Sequence, residues 1–122
     1  MEPPGRGEEM RRRVLGSDHV DRAIAATTGL DRGFQEWITD AIWEGIWGRE
    51  GLDVRTRSMI TIAILGALSH DELELHLRAT KNTGVTPEEV SEILLHVAAY
   101  AGAPAANKAF GLMKRILEEE AR

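Results

Sequence analysis

The sequence predicts an all-α fold, a compact single-domain helical bundle of about six to seven helices. Three observations carry that expectation. Apolar residues recur at helical spacing, as at Phe34, Ile38, Ala41, Ile42 and Gly45, which fall at i, i+4, i+7, i+8 and i+11. Caps and breaks separate such segments, the strongest being Thr86-Pro87-Glu88-Glu89, a cap, a proline at N1 and a glutamate at N3. No stretch offers the alternating pattern that a strand needs in a partner. A length of 122 residues suits one domain with a real core.

Residues 1–7 hold two prolines and two glycines and are expected to form a flexible N-terminal tail, leaving 8–122 as the helical domain. Glu8 to Leu15 reads as a short helix that stops at Gly16. Ser17 or Asp18 caps a second, His19 to about Thr27, with Val20 and Ile24 facing inward. Asp31 caps a third, from about Arg32 to Trp47. Its inward face is the Phe34 to Gly45 set, with Trp37, Trp43 and Trp47 off centre. Rings of that size call for apolar neighbours on more than one side, which a partner subunit would supply.

Asp53 caps the fourth helix, Val54 to Leu68. From Met59 onward it is apolar all round apart from Thr61, the pattern of a buried central helix. Ile60, Thr61, Ile62 and Ile64 are β-branched and favour a strand, but the segment is long for one and has no pairing partner. Ser69 or Asp71 opens the next helix, to about Asn82, with Gly84 as its C-cap. The Thr86 signal opens a sixth, carrying Val90, Ile93, Leu94, Val97, Ala98 and Ala101. Gly102-Ala103-Pro104 breaks it. The last, Ala105 to about Ala121, places Phe110, Met113, Ile116 and Leu117 on its core face.

Composition narrows the chemistry. Hydrophobic residues at 43% and charged residues at 29% are ordinary for a soluble globular protein. A formal net charge of -5 argues against a nucleic-acid duplex or an anionic membrane as partner. The absence of cysteine excludes disulfides, thiolate nucleophiles and thiolate-bound zinc. The N-terminal MEPPGRGEEMRRR lacks the apolar core of a signal peptide, and the run from Met59 to Leu68 is half of the roughly 20 residues a membrane span needs. A cytoplasmic location is expected. The four histidines (His19, His70, His76, His96) show no metal-binding spacing, and no phosphate-binding glycine motif occurs, so neither a metal nor a nucleotide is expected.

His76 shares an inward stripe with Leu73, Leu77 and Thr80, and Glu72 lies one turn earlier. The pair reads equally as a core histidine satisfied by a carboxylate or as a general acid tuned by Glu72. Arg57 precedes Ile60, Thr61 and Ile64 on one face. It suits a structural ion pair with Glu44 or Glu72, or a fork for a substrate carboxylate. His96 and Tyr100, at i and i+4, present donors to a pocket floored by the apolar run, or simply pack with their polar tips at the rim. Glu44, between Trp43 and Trp47, is a substrate-binding candidate or a solvated surface group.

The segments FQEWITDAIWEGIW, GLDVRTRSMITIAILGAL, DELELHLRATKNTGVTPEEV and EILLHVAAYAGAPAANKAF resemble the carboxymuconolactone decarboxylase family, and the likeness runs from about Val14 to Leu117. The wider group is alkylhydroperoxidase-D-like. The resemblance implies an all-α fold, no cofactor, a homo-oligomer that is often a hexameric ring, and a place in the β-ketoadipate pathway of aromatic (protocatechuate) catabolism. The peroxidases of that group use a CxxC and a histidine. Aligned on His76 and Gly84, this chain has Ser69 and Glu72 at the thiol positions, so that chemistry is not available to it. Ala101, in YAGAPAA, stands where the decarboxylases commonly carry a cysteine.

The implied reaction converts 4-carboxymuconolactone to β-ketoadipate enol-lactone and CO2. In that reading Arg57 anchors a spectator carboxylate and Ile60 and Ile64 desolvate the leaving one. His76 with Glu72 delivers a proton, His96 or Tyr100 faces the oxyanion, and Glu44 contributes to substrate binding. Two other readings remain open. One is a related cofactor-free enzyme acting on a different activated lactone or acid. The other is a non-catalytic oligomeric helical protein.

Overall fold

A computed structural model describes residues 3–122, and among them every regular element is a helix. Eight α-helices and one π-helix follow one another: α1 (Arg6–Leu15), α2 (Ser17–Ala26), α3 (Arg32–Trp37), the π-helix (Ile38–Trp47), α4 (Val54–Ala67), α5 (Leu73–Arg78), α6 (Thr80–Thr83), α7 (Pro87–Ala101) and α8 (Ala103–Glu120). The all-α expectation holds. The count exceeds six to seven because two expected helices each divide. No helix among the described residues is long and apolar enough to cross a membrane. The chain resolves into two compact units, one ending at Val54 and one running from Arg55 to Arg122.

In the first unit α1 begins at Arg6, two residues earlier than expected; the first two residues of the expected tail lie outside the described ones. Gly7 explains the early start. It is buried, and a Cβ there would collide with the backbone carbonyl of Thr39, so α1 lies directly on the π-helix. Arg11 follows on that buried side and donates from Nη1 to Gln35 Oε1 at 3.2 Å. Arg12 ties α1 to α2, bonding Glu8 at 3.0 Å and Asp21 at 2.8 Å.

The third expected helix changes its winding. Thr39 Oγ1 donates to Gln35 O at 2.8 Å, and the ladder widens from Ile38 onward into π geometry. A wider turn brings residues four apart closer to one face than an α-helix does. Trp43 and Trp47 are therefore the buried pair, with ring centroids 5.2 Å apart. Phe34 was expected to face inward, yet it is 59% exposed, stacked on exposed Trp37. Ile24 is likewise half-exposed, whereas Val20 is fully buried as expected.

In the second unit, α4 opens at Val54 as predicted and ends one residue early, at Ala67. Its inner face, Ser58, Ile62 and Gly66, is buried against a core of Leu73, Leu77, Val90, Leu94, Val97, Ala109, Met113 and Ile116. The helix expected to span to Asn82 divides at Ala79 into α5 and α6, and Gly84 closes it in the left-handed region (φ 86°), where the absence of a Cβ matters. Thr83 Oγ1 donates to Ser58 Oγ at 2.9 Å inside the core, joining α6 to α4. The capping box at Thr86 forms as predicted: Glu89 N donates to Thr86 Oγ1 at 3.1 Å and Thr86 N to Glu89 Oε1 at 3.0 Å. Gly102 (φ 106°) breaks α7 from α8, and Leu117, assigned to the core face, is 38% exposed.

Surface charge fastens α5 to α8. Arg78 bonds Glu119 at 2.7 Å and Glu74 at 3.0 Å, and Arg115 reaches Glu74 at 2.9 Å. The hydrogen bond from Arg78 holds the Glu119 carboxyl below the usual carboxylate range. A carboxyl depressed in the folded state adds stability that is present above its unfolded pKa and lost as pH falls through the folded one. Glu119→Gln is therefore expected to lower the urea midpoint at neutral pH and to match the parent in acid, where both side chains are neutral. For the interior bond, Ser58→Ala leaves the Thr83 hydroxyl short of an acceptor and should cost about 1–2 kcal/mol in the same denaturation experiment.

Candidate functional site

α4 presents two different surfaces. Opposite the buried Ser58, Ile62 and Gly66 lie Arg57, Ile60, Thr61, Ile64 and Leu68, at i, i+3, i+4, i+7 and i+11 on one face. Arg57 and Thr61 are half-buried, and Thr61 Oγ1 donates to the Arg57 carbonyl at 2.8 Å. Ile60 is 43% exposed and Ile64 53%. This corrects the expectation of a helix buried on all sides. The core takes only the inner face, and the outer one stays an apolar strip headed by a guanidinium.

α7 supplies a second wall. Glu88, Glu92, His96 and Tyr100 follow at four-residue intervals and so share a slowly drifting face. A cleft of about 410 Å³ is lined by Met59 of α4 with Glu88, Glu89, Glu92, Ile93 and His96. Its floor is apolar and its rim is acidic. Glu89 is committed, to the Thr86 amide and to an ion pair with Arg55. The rings of His96 and Tyr100 stack with centroids 6.2 Å apart and planes 7° from parallel. Tyr100 is 88% exposed. Of the residues singled out from the sequence, the cleft contains His96 alone. Glu88 and Glu92 were missed there, although their spacing from His96 was the signal that places them beside it.

The third group is on α5. His76 is buried between Leu73 and Leu77, as its inward stripe required. Glu72 is exposed at the N-terminus of that helix, and its backbone carbonyl accepts from His76 N at 3.3 Å. Glu44 belongs to the first unit, exposed on the π-helix between the two buried tryptophans.

The second unit thus carries three separate sets on three helices: Arg57 with Ile60 and Ile64 on α4, His96 with Tyr100 on α7, and exposed Glu72 and buried His76 at the start of α5, joined by a backbone bond. Among the described residues no cluster of three or more histidine, aspartate or glutamate side chains has the geometry to hold a metal ion. What the second unit offers chemically is a cation, an apolar strip, stacked donor rings and a buried imidazole. Those are means of holding a carboxylate, desolvating it and moving a proton.

Comparison with known proteins gives a consistent outcome. The model of the carboxymuconolactone decarboxylase family matches residues 32–115, a span that crosses both units. The chain is 42% identical over 114 residues to the 4-carboxymuconolactone decarboxylase of Acinetobacter baylyi, covering 93% of this chain and 85% of that one. It is 38% identical over 114 residues to the nitrosuccinic acid decarboxylase of Metarhizium robertsii, covering 93% and 80%.

Proposed function

The chain belongs to the carboxymuconolactone decarboxylase family and is an enzyme of the carboxy-lyase class, and from that premise we propose that it decarboxylates 4-carboxymuconolactone to β-ketoadipate enol-lactone. The observation that carries this reading is the outer face of α4. Arg57 heads an apolar strip of Ile60 and Ile64 that is exposed in the single chain. A cation beside a dry wall is what a dicarboxylate substrate needs. One carboxylate is anchored and the other is stripped of water before it leaves.

The chemistry asks little else of the protein. The bond from the ring carbon to the departing carboxylate breaks, and its electron pair moves through the conjugated double bond into the lactone carbonyl. CO2 leaves. The resulting dienolate takes a proton at the α-carbon, giving the enol-lactone. The substrate is its own electron sink, so we assign no cofactor. Arg57 holds the spectator carboxylate, His76 with Glu72 delivers the proton, and His96 or Tyr100 stabilises the oxyanion.

Exposure of Ile60, Ile64 and Tyr100 fits a site that a second copy completes, so we include a homo-oligomer, with a hexamer as its expected form, acting in the cytoplasm in the breakdown of protocatechuate. A second substrate reading has a specific support. The relative at 38% identity is named for nitrosuccinic acid, a different activated acid. An activated acid of that kind needs the same cation and the same dry wall.

The test is direct. Purified protein mixed with enzymatically generated carboxymuconolactone should release CO2 with loss of ultraviolet absorbance, at an unchanged rate after chelator treatment. Arg57→Ala and His76→Ala should each lower turnover on the order of a hundredfold while circular dichroism stays that of the parent. Near-parent turnover in both variants would overturn the assignment. Turnover of nitrosuccinate but not of the lactone would select the second substrate. Light scattering after gel filtration should give a mass several times that of one chain, and a monomer would remove the second copy from the site.

A further inference from the structure

The turn between α4 and α5 is held by one histidine that the reaction does not use. α4 ends in a Schellman arrangement. Ser69 takes the left-handed position (φ 50°) usually given to glycine, its amide donates to Gly66 O at 3.1 Å, and the next amide, of His70, reaches back to Leu65 O at 2.9 Å. His70 then accepts two amides in succession. Glu72 N donates to its ring Nδ1 at 3.0 Å, and Leu73 N donates to its backbone carbonyl at 3.0 Å. Glu72 O in turn accepts from His76 N. Hydrogen bonds therefore link the end of α4, through His70, to the first turn of α5 and the backbone amide of His76.

We propose that His70 is a positioning residue of the decarboxylase site: through a neutral ring it fixes the helix carrying Glu72 and His76 against the end of α4, and protonation at Nδ1 releases that hold. What it positions rests on the function proposed above; the hold itself does not. An imidazole nitrogen accepts a hydrogen bond only while it lacks a proton, so the bond to Glu72 N selects the tautomer with hydrogen on Nε2. Protonation removes the acceptor and hands the Glu72 amide, which is at an exposed position, over to water at the start of α5.

The charges around the ring are of both signs. A cleft of about 230 Å³ is lined by Ser69, His70, Asp71 and Glu74 with Lys108 and Arg115 of α8. Lys108 Nζ donates to Ser69 O at 3.4 Å, and Arg115 is held by Glu74 at 2.9 Å.

Nuclear magnetic resonance on the intact protein tests the hold without any substrate. The nitrogen shifts of His70 should show Nδ1 unprotonated and Nε2 protonated at neutral pH. As the ring titrates, exchange of the Glu72 amide should quicken roughly fivefold, the loss expected of one cap, and the His76 ring signals should move with it. His70→Ala should show that faster exchange at every pH. His70→Asn offers an oxygen near the place of Nδ1 and does not titrate, so it should keep the amide protected into acid. In the decarboxylation assay His70→Ala should lose roughly fivefold in kcat with KM little changed, and His70→Asn should keep parent turnover with a flatter acid limb. Unchanged Glu72 exchange in His70→Ala, or titration of His70 with no response at Glu72, would overturn the proposal. Should His70→Ala not fold, the pH response of the parent against His70→Asn decides. Absence of turnover on the lactone with the amide response present would remove the proposed substrate and leave the hold standing.

Discussion

The second unit depends on a division of labour across α4. This helix is apolar nearly all round from Met59 onward, yet its own chain covers one side of it and leaves the other open. Ser58, Ile62 and Gly66 take the covered side, and a Cβ added at Gly66 would meet Leu94 and Val97 of α7 at ordinary contact distance. The hydroxyl bond between Ser58 and Thr83 fixes the helix about its own axis. Once that rotation is set, the direction of Arg57, Ile60 and Ile64 is set as well. Packing and the outer surface are therefore one decision made twice.

That decision explains how a small chain without cysteine can serve as a carboxy-lyase. The proposed substrate carries its own electron sink, so the protein contributes surroundings and not reagents. Surroundings of low polarity raise the energy of a carboxylate far more than that of the neutral carbon dioxide it becomes, while a guanidinium steadies the group that stays behind. The acidic rim of the neighbouring cleft at Glu88 and Glu92 works in the opposite sense. It disfavours an anion, so the proposed reading assigns the substrate carboxylates to the outer face of α4, and His96 is the one group of that cleft to which it gives a part.

Much of this was legible in the residues. The capping box at Thr86 and the span of α4 were readable because they rest on local chemistry, side chain to nearby amide and spacing along one helix. Trp43 and Trp47 were misplaced because a face was drawn at 3.6 residues per turn through a stretch that winds wider. The outer face of α4 was read as buried because an apolar residue looks the same in a sequence whether or not its own chain covers it. That Arg57, His76 and His96 fall on three helices was legible, but how those helices place them relative to one another was not, since spacing orders residues along one element and says nothing of convergence between elements. His70 escaped notice for a related reason: its part arises from a turn in which ring and backbone act together.

Glu89 shows how tightly such a small unit shares its parts. One oxygen of that carboxylate returns the capping bond to the Thr86 amide, and the group also pairs with Arg55 at the start of α4. Its rotamer is held from both directions, and each attachment lowers the entropy left for the other to remove. Arg55 and Thr86 are thereby energetically coupled through an intermediary, and replacing both should cost less than the sum of replacing each. The start of α7 and the start of α4 are in that respect a single thermodynamic object, even though some thirty positions of chain separate them.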